Sequence, residues 1–385
     1  MTTPRQIVLR DTTLREGIQV PGCRIDRDRQ RRFVGFLDEI GVPEIEIGLP
    51  GGMSACADLA DFIRRENHAI RASALIPCYA ATWRRQVDLA AEHGLARIDV
   101  LAPVSDHLLK DADHYGMEAG EISGRLEDVL AYARRGPLEV GVGLIDACRT
   151  PLGRITPLAE ALPAMGASRL VLYDSVGTML PWEMTAFVAE IRQSCGLPIL
   201  VHCHNDHGLA TANSLAAVAG GAAAVDVAVN GLGGRAGNAP LEEVAVALEN
   251  LCGLQTGIDT TRLRALAAFT ERMTGLKNSP LKPIVGDYCF AHLPVMHVRC
   301  IGGGNPAAFE PFDPAQVGAE RTYGFSLPVD YAPAVEPFLR KAGFAVDGED
   351  IPALVAALRD NSGPAGRTEK DILKCIRDFK SATAP

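Results

Sequence analysis

Eight short β-branched and apolar runs, each followed by an amphipathic helical window, recur at a regular pitch through the first part of the chain, and this alternation constrains the fold most. The runs are Ile7 to Asp11, Glu44 to Gly48, Ile70 to Leu75, Arg97 to Leu101, Leu138 to Gly143, Arg169 to Asp174, Ile199 to His204 and Ala224 to Asn230. Between them lie helical windows such as Asp26 to Ile40, Thr82 to His93, Trp182 to Cys195 and Leu209 to Ala219. Eight βα units over roughly 250 residues predict an α/β protein built on a (β/α)8 TIM barrel, with a doubly wound parallel sheet as the other arrangement. The barrel is preferred because polar and unusual residues gather at the carboxyl ends of most runs. A closed barrel brings those ends around one mouth.

The 385 residues, 47% of them hydrophobic, can bury a large core with an appended region. A formal charge of −9, spread without long acidic runs, excludes a nucleic-acid footprint, and no apolar run approaches a membrane span. The ten cysteines contain no C-x-x-C pair, and the start Met-Thr-Thr-Pro-Arg-Gln is not that of a signal or transit peptide. Reduced thiols in a cytoplasm are expected.

Within the seventh unit stands Val201-His202-Cys203-His204-Asn205-Asp206-His207-Gly208. Alternation along a strand puts His202 and His204 on one face and Cys203 on the other, so the two imidazoles could share a divalent ion or simply bond each other. In a closed barrel strand 8 lies between strands 7 and 1. The loop after strand 1 (Thr12 to Gln19) and the loop after strand 8 (Asn230 to Asn238) are therefore its neighbours, and Glu16 and Asn238 can join the two histidines as ligands. Asn238 could instead be a helix N-cap ahead of Pro240 and Glu242, and the glycines of that loop could be turn residues only.

Leu9-Arg10-Asp11-Thr12-Thr13-Leu14-Arg15-Glu16-Gly17 with Gln19, the His-Cys-His-Asn-Asp segment, and Gly231 to Asn238 followed by Leu241-Glu242-Glu243 resemble the homocitrate synthase and isopropylmalate synthase group. These are DRE-TIM metallolyases, and the resemblance is to the Claisen-condensing branch, nearest to homocitrate synthases of the nitrogen-fixation type. It runs from about Ile7 to Asp378. The related hydroxymethylglutaryl-CoA lyases carry a catalytic cysteine in the strand-8 loop, where this chain has Arg235 and no cysteine.

The resemblance implies condensation of an acyl-CoA, with acetyl-CoA as co-substrate, onto the ketone of a 2-oxo acid. The metal, zinc, manganese or magnesium, would rest on Glu16, His202, His204 and Asn238. Arg15 would steady developing negative charge, and Gln19, Asn238 and Ser175 of Tyr173-Asp174-Ser175-Val176-Gly177 would bind substrate; for Ser175 a solvent-facing turn is an equal reading. Phe290-Ala291-His292-Leu293-Pro294-Val295-Met296-His297 resembles a family segment whose second histidine reaches the partner protomer's site. His297 inherits that catalytic role, and a homodimer with exchanged lids follows.

Departures bear on the acceptor. Gly17-Ile18-Gln19 stands where the family has Gly-Glu-Gln, and Ile145 stands where relatives show a glutamate before Asp-Ala. No arginine follows strand 3 in Ala74-Leu75-Ile76-Pro77-Cys78. Asp146 could replace the lost acid only if a bulge turned it inward. The expected organisation is a barrel over 1–255, a linker and lid over 256–310, and a helical subdomain over 311–385, including a helical tail from Pro328 to Phe379. Two other functions fit the same residues: a metal-dependent carbon-carbon lyase or aldolase, and a metal-binding protein without catalysis.

Overall fold

The computed structural model describes residues 5–52, 56–325, 332–346, 351–360 and 366–383; the first four residues and Pro328, both invoked above, lie outside them. Contacts divide the chain into two units, one of residues 1–259 with 266–276 and one of residues 260–265 with 277–385.

In the first unit the predicted barrel is present. Its strands are β1 Val8–Asp11, β2 Glu44–Glu46, β3 Arg71–Pro77, β4 Arg97–Pro103, β5 Glu139–Ile145, β6 Leu170–Asp174, β7 Ile199–Cys203 and β8 Ala224–Val227. All eight pair in parallel and in chain order, and β1 closes on β8. Three strands run two residues past the expected ends, to Pro77, Pro103 and Ile145. β8 stops earlier because Asn230 takes a left-handed φ of 62° that ends the extended chain. The helical windows fall on Arg27–Glu39, Trp83–Glu92, Pro181–Ser194 and Ala210–Ala219. Among the described residues no helix is long and apolar enough to cross a membrane.

Register decides what faces the interior. Arg10 lies beside Glu44 and Asp226, Asp99 beside Gly141, Leu101 beside Gly143, and Tyr173 beside His202. The lower interior is an ionic layer: Arg10 bonds Asp226 at 2.6 and 2.8 Å, and Arg169 bonds Asp99 at 2.6 and 2.9 Å and Glu44 at 2.7 Å. Burial alone would lower the Arg10 pKa, yet the carboxylates around it hold it charged. Every charge in this layer has a partner, which is the condition for burying it.

The second unit has its own core, in which Val298, Phe325, Phe338, Leu354 and Ile372 are fully or nearly fully buried. Its helices include Val295–Gly302, Ala332–Ala342, Ile351–Asp360 and Glu369–Thr383. A small sheet, β9 Ala291–His292, β10 Thr322–Tyr323 and β11 Arg367–Thr368, accompanies them. Two-residue strands carry no readable alternation, so the sequence offered only the helices.

Candidate active site

The chain after β1 turns at once into a one-and-a-half-turn helix, Thr13–Gly17, which presents Arg15 and Glu16. Asp11 fixes this turn by accepting from the Thr13 amide at 3.0 Å and the Thr13 hydroxyl at 2.6 Å, while the same hydroxyl receives the Val229 amide at 2.8 Å. The loops after β1 and β8 are thereby joined through one threonine.

Glu16, His202 and His204 are buried, and their ligand atoms lie within 4.8 Å of one another. The two imidazole centroids are 5.0 Å apart, and His202 Nε2 is 3.6 Å from Glu16 Oε1. His202 Nε2 and His204 Nδ1 are buried without a hydrogen-bond partner. Burial lowers both histidine pKa values, and with the neighbouring His202 it brings His204 down to about 3. Both are neutral imidazoles at physiological pH, the form that binds a metal. Cys203 faces away from them, as alternation requires, and is buried.

Asn238 stands opposite His204 in an isolated bridge, and both its side-chain oxygen and nitrogen are buried without partners. It does not cap the following helix, Leu241–Asn250, whose N-cap is Pro240. The loop glycines make room for these groups: a Cβ on Gly233 would stand 2.7 Å from Asn238 Nδ2, and one on Gly234 would stand 2.6 Å from Gln19 Oε1. Leaving a buried imidazole nitrogen and a buried amide unsatisfied costs about 1–3 kcal/mol each, so their convergence beside a carboxylate fits a divalent cation.

Arg15 donates Nη1 to Glu16 and Nε to Glu46 on β2, and Gln19 Nε2 donates to Glu16 Oε2 at 3.0 Å. Ser175 Oγ accepts from the Asp146 amide at 2.9 Å, which ties the loops after β5 and β6 and leaves the hydroxyl hydrogen to be donated. Arg235, with φ of 58°, clasps Asp206 at 2.7 Å and the Ser175 carbonyl at 2.7 Å.

Asp146 does not replace the missing acid. It is buried, in the left-handed conformation, and is bound by Ser105 at 2.5 Å and Arg149 at 2.7 Å. Ile145 packs on the interior apolar cluster of Leu75, Leu101 and Tyr173, whereas Ile18 is 49% exposed. His297 lies in the second unit, in the first turn of the Val295–Gly302 helix, stacked on Phe309 with centroids 3.8 Å apart.

Three further groups stand at the site without a role in the motifs: Asp226, Glu46 and Tyr173. The Asp226 carboxylate accepts from His202 Nδ1–H at 2.9 Å. Burial would raise its pKa, but Arg10 holds it well below the usual carboxylate range. The available signal was a charge at an alternate position within a strand otherwise buried on both faces, as in Val225-Asp226-Val227 and Glu44-Ile45-Glu46.

A family model described as HMGL-like matches residues 6–270. A Methanopyrus kandleri protein provisionally named (R)-citramalate synthase is 35% identical over 97% of this chain and 73% of its own length. Homocitrate synthase 1 of Nostoc is 32% identical over 98% of this chain and 99% of its own. Among solved structures, the HMG-CoA lyase of Bacillus subtilis superposes with a TM-score of 0.62 at 23% identity, covering 71% of this chain and 96% of that one. At that identity the likeness is one of fold.

Proposed function

The chain is an enzyme of the HMGL-like family, and we propose that it joins an acyl-CoA, acetyl-CoA above all, to the ketone of a 2-oxo acid and hydrolyses the thioester to a 2-hydroxy-2-alkyl acid. The observation that carries this reading is the convergence of Glu16, His202 and His204 on one buried point beside the Arg15 guanidinium.

A divalent ion held by Glu16, His202, His204 and Asn238, whether zinc, manganese or magnesium, would supply Lewis acidity toward the ketone and carboxylate oxygens of the acceptor. The protein's own groups do the rest. Arg15 is held by Glu46 and Glu16 at the mouth, where its fixed charge offsets the negative charge that builds on oxygen during bond formation. Gln19 and Ser175 bind polar groups of the acceptor. A base removes a proton from the acyl methyl, the resulting carbon attacks the ketone carbon as the C=O π pair moves onto oxygen, and that oxygen takes up the proton carried by the base, directly or through water, and ends as a hydroxyl. Water then cleaves the thioester and releases the CoA thiol. With Ile145 in place of an acid, His297 of the partner protomer is the base in this scheme, which requires a homodimer with exchanged lids. Ten unpaired cysteines suit the reducing cytoplasm in which acyl-CoA is made.

The test is release of free thiol from acetyl-CoA across a panel of 2-oxo acids, with chelator-treated protein and His202→Ala as controls. Thiol release that requires the 2-oxo acid, falls with the chelator and is lost in His202→Ala is the expected result. Release independent of any acceptor would mark a thioesterase and contradict the proposal.

A further inference from the structure

The barrel interior is divided into two arcs, a charged one that takes in part of the ionic layer and an apolar one. Strands β7, β8, β1 and β2 contribute His202, Asp226, Arg10 and Glu46, with Glu16 from the loop after β1, all buried. Strands β3 to β6 contribute Leu75, Leu101, Val171 and Tyr173, with Leu49 and Ile145 packed against them, and the cluster reaches β7 and β8 only at Leu200 and Ala224. Any acceptor that presents its reacting oxygens to the polar arc lays its remaining arm against the apolar one.

Tyr173 stands where the arcs meet. It lies beside His202 in register, its ring 5.0 Å from the imidazole, and it is 6% exposed. The ring reaches across β5 because residue 143 is glycine: a Cβ there would stand 2.9 Å from Tyr173 Cε2 and 2.8 Å from Leu101 Cδ2. Its hydroxyl is buried without a hydrogen-bond partner, where the apolar cluster meets the charges of Glu46, Arg10, Asp226 and Asp99. A buried phenol left unsatisfied beside the His202 imidazole is a group that a ligand oxygen can satisfy.

We infer that Tyr173 sets acceptor specificity: its ring walls the inner end of the acceptor pocket and its hydroxyl donates to an acceptor oxygen, so that the enzyme takes 2-oxo acids with short, uncharged side chains. The inference rests on the condensation reading for its substrate class. A second carboxylate on the acceptor arm would lie against Leu75, Leu101 and Ile145, where a charge would be buried without a partner. The arginines of the adjoining loops are committed elsewhere: Arg149 to Asp146 at 2.7 Å, and Arg154 to Asp106 and the Val104 carbonyl at 2.8 Å.

Equilibrium binding of pyruvate, 2-oxobutanoate, 2-oxohexanoate and 2-oxoglutarate, in buffer containing manganese, tests Tyr173 without requiring turnover. Wild type should bind the two short acids at least tenfold tighter than 2-oxoglutarate. Tyr173→Ala, checked for an unchanged circular dichroism spectrum and metal content, should shift the preference toward 2-oxohexanoate by tenfold or more. Tyr173→Phe, the variant least able to disturb packing, should weaken the short acids several-fold and leave their order intact. Tightest wild-type binding of 2-oxoglutarate, or an order of acids unchanged in Tyr173→Ala, would overturn the inference. Thiol release measured alongside separates the two claims, since its absence with every acid sinks the condensation reading while the binding order still decides the role of Tyr173.

Discussion

His202 Nδ1 lies 2.9 Å from Asp226 Oδ2, and the Asp226 carboxylate in turn receives Arg10 Nε at 2.6 Å and Nη2 at 2.8 Å. The imidazole is thereby turned so that Nε2 faces Glu16, and the ionic layer at the base of the barrel is connected to the histidine at its mouth. A carboxylate behind a ligating histidine fixes its tautomer and raises its basicity.

Asp226→Asn keeps the shape but surrenders that carboxylate, and it should weaken divalent-metal affinity by about 10–100-fold. Arg10 retains its contacts to Asp99 and Glu46, so the barrel should still fold. Competition against a chromophoric chelator reads the affinity. An unchanged value would mean that Asp226 serves only the ionic layer.

Arg15→Lys preserves charge but cannot hold Glu46 and Glu16 together as the guanidinium does. The expected outcome is a fall in kcat of about 10²–10³ with metal content unchanged, as for loss of a group that stabilises developing oxyanion charge. A rise in KM at constant kcat would assign Arg15 to ground-state binding instead.

If His297 completes the partner's site, mixing His297→Ala subunits with Arg15→Ala subunits should recover up to about one quarter of wild-type activity, since half the dimers would be mixed and each would carry one intact site. Subunit exchange is verified by native mass spectrometry. No recovery after verified exchange would place both residues in the same protomer's site.

Burial raises the Asp11 pKa to about 7, with Asp226 and Glu242 adding to the rise and the two Thr13 hydrogen bonds opposing it. A carboxyl whose folded pKa exceeds its unfolded value costs nothing at low pH, where both states are protonated. The cost grows from pH about 4 and reaches its full size above about 7. Asp11→Asn should therefore become more stable than wild type as pH rises from 5 to 8, by roughly 1–3 kcal/mol over that interval. Urea unfolding at the two pH values measures it. A difference that shrinks with pH would contradict this assignment.

The barrel was legible in the sequence because period, run length and the placing of polar residues at strand ends agree, as between Asp26 and Ile40, where the helix runs Arg27–Glu39. Strand alternation and barrel closure suffice to bring Glu16, His202, His204 and Asn238 to one mouth without knowledge of any side-chain position, and the structure sets the ligand atoms of the first three within 4.8 Å of one another. Tyr173 was not found as a pocket residue, since its reach depends on the space left by Gly143 on the neighbouring strand. Asp226 was missed for a related reason: its partners Arg10 and His202 are 216 and 24 residues away, and only closure pairs them. Asp146 shows where parity reasoning holds even across a left-handed residue, for its carboxylate is spent on Ser105 and Arg149.

Condensation is tested most directly by following acetyl-CoA labelled with carbon-13 at the methyl carbon by NMR, in the presence of a 2-oxo acid and a divalent metal. Condensation predicts that the labelled carbon becomes a methylene bonded to a quaternary, hydroxyl-bearing carbon, with one free CoA thiol for each product formed. Labelled acetate as the sole product, whichever 2-oxo acid is supplied, would rule condensation out.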